Sequence, residues 1–170
     1  MTAPAPSARR PGRAMLARIV RTREASTSTD LVLAVVRAAL TWIFIYYGAG
    51  KLFGWFGGPG LHQSALFFAN TAHLRPGTFF AVVGGVVEFA GAIGLALGLG
   101  TRVAGLALCG DMVVAVVTVT GKYGINSQSA TPGYELNLAL GVLALVVVVL
   151  GAGRFSLDAL VERRVTAGEP

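Results

Sequence analysis

The sequence predicts an all-α integral membrane protein, a four-helix bundle with both termini on the cytoplasmic side and an amphipathic segment in the first outer loop. Three observations predict it. Apolar residues make up 54% of the 170 residues and charged ones 13%, against about 25% charged in a soluble domain. The apolar residues gather in four runs near the ~20 residues that a helix needs to cross the hydrocarbon core, and mean hydropathy is +0.68. The basic residues are distributed unevenly among the segments that join those runs.

Residues 1–30 form a basic segment rich in Ala, Pro, Ser, Thr and Arg, expected to be partly disordered in the cytoplasm. Met15, Leu16, Ile19 and Val20 fall at helical spacing and suit a short interfacial helix. The membrane domain is expected over 31–160, with helices at about 31–50, 79–99, 103–119 and 134–152, and a cytoplasmic tail at 161–170. The first run reads as an uncleaved anchor, since a leader of thirty residues is long for a signal peptide. In the first outer loop, Phe53, Trp55 and Phe56 suit the membrane interface. Gly57-Gly58-Pro59-Gly60 breaks the helix, and 61–72 reads as a helix lying on the outer surface. The inner connection Gly100-Thr101-Arg102 is short enough to force a tight helical hairpin.

Orientation follows from the Arg and Lys positions. With the N-terminus inside, the inner segments hold ten basic residues: Arg9, Arg10, Arg13, Arg18, Arg21, Arg23, Arg102, Arg154, Arg163 and Arg164. The outer segments hold three, Lys51, Arg75 and Lys122. The net charge of +6 therefore reads as a topology signal and a contact with anionic lipid, and no nucleic-acid partner is expected. The single cysteine, Cys109, lies in an apolar run and reads as a packing residue, without an intramolecular disulfide. No metal-ligand spacing, phosphate loop or nucleophile elbow occurs, so no catalytic or metal residues are expected. His62 and His73 read as surface residues.

Several short motifs, in order, resemble the DoxX family of bacterial four-helix membrane proteins. They are Arg37, then Tyr47-Gly48-Ala49-Gly50-Lys51-Leu52-Phe53-Gly54 and Gly57-Gly58-Pro59-Gly60; Gly85-Val86-Val87-Glu88-Phe89-Ala90-Gly91 with Gly98-Leu99-Gly100-Thr101-Arg102; Gly133-Tyr134-Glu135; and Gly151-Ala152-Gly153-Arg154-Phe155-Ser156-Leu157-Asp158. The similarity runs over 37–160. It implies a multi-pass protein of the bacterial inner membrane and a redox-linked membrane subunit, more an accessory of an oxidoreductase than a stand-alone enzyme. Quinone is the compatible cofactor. Soluble redox enzymes on the cytoplasmic side, membrane lipids and a second copy of the chain are compatible partners. A small-molecule or lipid carrier and a non-catalytic assembly or anchor subunit remain as alternatives. Many relatives carry a histidine where Tyr47 stands and another near Thr120, so metal or haem ligation there does not carry over.

Ionisable groups within a span are costly, by about 2.5–3.5 kcal/mol on insertion scales, and normally face the bundle interior. Arg37, Glu88 and Asp111 lie roughly 9, 16 and 12 Å from the inner ends of their runs at 1.5 Å per residue. They are expected to form one intramembrane charge cluster. One arginine cannot neutralise two carboxylates, which suits proton uptake coupled to a quinone, or a polar ligand head group; a structural pin between helices is the other reading. At the outer rim, Tyr47, Lys51, Tyr134 and Glu135 are candidate ligand-binding residues, with Lys51 and Glu135 placed to pair. An interfacial aromatic belt is the plainer reading of the tyrosines.

Overall fold

The computed structural model describes residues 27–126 and 133–167. The basic segment before residue 27, with its expected interfacial helix, and residues 168–170 lie outside the described residues. Helix α1 (Thr27–Phe53) runs 27 residues with neither Gly nor Pro before Gly48, so no helix breaker interrupts its first five turns. Asp30 in its first turn and Lys51 in its last complement the helix dipole. It stops at Gly54, which takes the left-handed conformation with φ +71°, where a side chain would be strained.

The chain continues through α2 (Gly60–Asn70), α3 (Gly77–Leu97), α4 (Thr101–Ala115), α5 (Glu135–Leu150) and α6 (Leu157–Ala167). All regular structure among the described residues is helical. Among the described residues, three stretches are long and apolar enough to cross a membrane: Thr27–Phe53, Gly77–Leu97 and Thr101–Tyr123. The last is α4 prolonged by a π-helical turn, Val116–Thr120, and a 3-10 turn, Gly121–Tyr123. Helix α5 is equally apolar but has 16 residues, about 24 Å at 1.5 Å per residue, short of the ~30 Å hydrocarbon core.

The α3–α4 hairpin turns on Gly98-Leu99-Gly100 rather than on Gly100-Thr101-Arg102, because both glycines adopt positive φ, +63° and +58°, while Thr101 already opens α4. At Gly98 a Cβ would also stand 2.6 Å from Arg37 Nη2, so the turn leaves that guanidinium room.

Helices α1 and α3 run antiparallel in a register set by three contacts. Arg37 Nε donates to Leu95 O at 2.9 Å and Thr41 Oγ1 to Ala92 O at 3.3 Å. Gly48 lies against Phe89, where a Cβ would come within 2.6 Å of the backbone nitrogen. Close backbone approach through small residues is how helices pack in lipid, where dispersion replaces the hydrophobic drive of water. The core comprises Leu40 and Phe44 of α1, Ala92 and Leu95 of α3, Leu108 and Met112 of α4, and Leu140, Ala144 and Val147 of α5. Large apolar side chains also cover the outside, Trp42 at 76% and Val117 at 78% exposure among them. Such surfaces suit lipid and would be a liability in water.

Candidate ligand-binding site

Heptad spacing on α1 places Arg37, Phe44 and Lys51 on one stripe that faces the other helices. The stripe carries a cation at each end, about 21 Å apart for fourteen residues. The two cations do different things.

Arg37 does not join Glu88 and Asp111. It is 5% exposed and its guanidinium gathers backbone carbonyls at the end of the bundle where α3 and α5 finish. Nη1 donates to Ala152 O at 2.8 Å and Phe155 O at 2.9 Å, and Nη2 to Ala96 O at 3.3 Å, in addition to the Leu95 bond. The separation follows from the register of α1 against α3. Arg37 is level with Leu95, seven residues or about 10 Å along α3 from Glu88. Depths counted separately in each run placed α1 too far toward the carboxylates.

The neighbouring segment completes a latch at this end. Asp30, buried in α1, accepts from Arg154 N at 3.0 Å. Asp158 accepts from Gly100 N at 2.8 Å and Thr101 N at 3.0 Å, capping the first turn of α4, whose amides have no intrahelical partner. Ser156 Oγ accepts from Ala159 N at 3.2 Å and donates to Gly153 O at 2.6 Å. The run Gly151–Asp158 thus ties the ends of α1, α3, α4 and α5 together.

Lys51 supplies the cation for the buried acids. Its Nζ lies 2.7 Å from Glu88 Oε1, with the lysine side chain 27% exposed and the glutamate 3%. Asp111, half-buried on α4, is close enough for its charge to act on both Lys51 and Glu88. The expected pairing of Lys51 with Glu135 does not form: Glu135 is exposed and its backbone N–H donates to Ile125 O. The long stem of lysine lets the ammonium reach inward from the last turn of α1.

Lys51, Glu88 and Asp111 line a cavity of about 350 Å³ bounded by α1, α2, α3, α4 and α5. Most of its wall is apolar, including Phe44, Phe68, Met112 and Leu140, and Tyr47 stands on it as well. Of the four rim candidates, Tyr47 and Lys51 line the cavity and Tyr134 and Glu135 do not. Tyr134 instead joins the turn beyond α4 by donating its backbone N–H to Gly124 O at 3.0 Å.

Three further features escaped the reading of the sequence. Thr118, Val119 and Thr120, on the π-helical turn, form part of the cavity wall; such turns widen a helix locally and are frequent at functional sites. Asn137 Nδ2 donates to Thr120 Oγ1 at 3.1 Å across the cavity's edge. Helix α2 closes one side with Phe67 and Phe68, and Ser64 Oγ donates to Lys51 O at 3.3 Å. The run Val-Val-Thr-Val-Thr was a usable signal, since β-branched residues crowd a helix. Beyond the Met112 and Asn137 wall lies a second, almost wholly apolar groove of about 250 Å³ between α4 and α5, with Cys109 on its side.

A helical membrane protein with a charged, ligand-sized chamber between its helices is the class that this fold and site define. The DoxX family model matches residues 32–121, just over half of the chain, and the chain belongs to the DoxX family. It is 37% identical over 103 residues to the uncharacterized membrane protein Rv3486 of Mycobacterium tuberculosis (strain ATCC 25618 / H37Rv), over 53% of this chain and 60% of that protein. The chain therefore spans about 60% of the length of this curated relative. No solved structure matches.

Proposed function

We propose that the protein is an accessory membrane subunit of a redox-linked complex in the bacterial inner membrane, and that its cavity holds the head group of a quinone. The observation that carries this reading is the cavity of about 350 Å³ with apolar walls and one polar patch, Lys51, Glu88 and Asp111. Ligand sites of this kind are mostly apolar with a few convergent polar groups. An aromatic ring fits among Phe44, Phe67 and Phe68, while Lys51, with three N–H donors and one on Glu88, can donate to a ring oxygen. The apolar groove beside it suits a hydrocarbon tail.

Protein purified in mild detergent should retain quinone, or bind it when it is added. Ala115→Phe, which fills the cavity without touching a charge, should lower occupancy at least about tenfold, the effect of losing 1.4 kcal/mol of binding. Absence of quinone both as purified and on addition would refute this function. Retention of phospholipid instead would place the carrier reading ahead.

The same proposal includes four crossings with both termini inside. Helix α5 spans the bundle alongside α4: Asn137 in its first turn meets Thr120, and Val148 O near its other end accepts from Arg102 Nη1 at 2.9 Å. The ten-to-three division of basic residues sets the orientation. In a Cys109→Ala background, an impermeant thiol reagent added to intact cells should label Gln63→Cys and spare Ser26→Cys. Labelling of Ser26→Cys alone would reverse the topology.

A further inference from the structure

We infer that the head group held in the cavity is a hydrogen-bond donor, the ring hydroxyl of a hydroquinone, seated on Glu88 Oε2. This rests on the reading of the cavity as a quinone site and specifies which redox form it favours. Glu88 is 2% exposed, lines the cavity, and spends Oε1 on Lys51. Its second oxygen, Oε2, is buried and has no hydrogen-bond donor among the described residues. A buried acceptor left in that state is costly, and native proteins rarely carry one without a partner to come.

The surrounding groups sharpen the preference. An ionised carboxylate only accepts, and Asp111 brings a second one within hydrogen-bond reach of Glu88, where the pair can be satisfied only by a proton shared between them or by a donor from a ligand. Among the described residues the ammonium of Lys51 is the one cation that serves both acids, and one of its three N–H groups is spent on Oε1. Acceptors therefore outnumber donors on this wall. A quinone carbonyl, itself only an acceptor, could take a spare Lys51 N–H but would leave Oε2 as it is. A hydroquinone hydroxyl would give Oε2 its donor, and its second oxygen could still meet Lys51. Sites built around a hydrogen bond reject analogues that lack the matching group far more strongly than apolar pockets reject a change of size.

The test uses the intact chain in detergent and three probes with one tail: a decyl-substituted benzohydroquinone kept reduced, its quinone, and its dimethyl ether. The hydroquinone should bind about tenfold or more tightly than either of the others, since both lack donors, and Glu88→Gln should reduce that ratio below about threefold. The factor corresponds to one hydrogen bond to a charged acceptor. Equal affinity for hydroquinone and quinone in the unmodified protein would overturn the inference while leaving the quinone site standing; a proton shared between Glu88 and Asp111 would produce that result. Tighter binding of the quinone would overturn it likewise. Binding of none of the three would overturn both readings.

Discussion

Arg37→Leu is expected to be the most damaging single substitution in the protein. The guanidinium joins four carbonyls from two parts of the chain, Leu95 and Ala96 at the end of α3, and Ala152 and Phe155 beyond α5. Leu95 O keeps a bond from Gly98 N, so three acceptors lose their partner. At about 1–3 kcal/mol for each acceptor stranded away from water, the loss should be roughly 3–6 kcal/mol, the lower part of the possible range because two of the three are only partly buried. Thermal unfolding in detergent measures it. Arg37→Lys should recover little, since one ammonium cannot reach four carbonyls placed to match a planar fork. Neutralising the acids with Glu88→Gln and Asp111→Asn should give no rescue, because Arg37 lies about 10 Å from them along the bundle. Rescue by that pair would place the arginine's charge in their cluster after all.

Lys51→Met should produce the second large effect, of a different kind. It removes the cation from Glu88 and Asp111 and leaves two carboxylates in the bundle. Breaking a buried ion pair from one side costs about 3–5 kcal/mol, and the lower end applies because 27% of the lysine side chain is exposed. Here neutralisation should help: Lys51→Met combined with Glu88→Gln should regain a substantial part of the loss, since the stranded charge is gone. Strict additivity of the two substitutions in unfolding experiments would show that Lys51 and Glu88 do not interact. Lys51 and Arg37 thus differ in which partner change rescues them, although both are cations on one face of α1.

The Asp30 end and the Lys51 end of the bundle divide the labour. At the first, Arg37, Asp30, Asp158 and Ser156 satisfy backbone groups that helix ends leave open, and the helices are held at fixed separations. At the second, the helices part around the cavity, the α4 ladder widens into a π turn, and the charged groups are only partly paired. Among the described residues, both ends keep a buried oxygen without a hydrogen-bond donor, Asp30 Oδ2 and Thr101 Oγ1 at the first and Glu88 Oε2 at the second, but only the last lies on a residue that lines the cavity.

Much of this protein was legible in the linear sequence. The apolar runs, the scarcity of charge and the ordered glycine-containing motifs identified a helical membrane protein of the DoxX family, because hydropathy, length and turn chemistry are properties of contiguous residues. That Arg37 and Glu88 face the interior was legible for the same reason, since a charge within an apolar run stands out without any knowledge of its partner. Lys51 was read as a rim residue because it closes its run, yet its heptad spacing from Arg37 and Phe44 already put it on the inward face. What only the tertiary structure decided was partnership. Which cation meets Glu88 depends on the register between α1 and α3, and a shift of two turns exchanges Arg37 for Lys51. That register is set by Gly48 seating against Phe89 and by Gly98 making room for a guanidinium, contacts between residues about forty and sixty positions apart. The side-chain period along one helix tells which way a charge faces; its depth against a neighbouring helix is determined only when the two backbones touch.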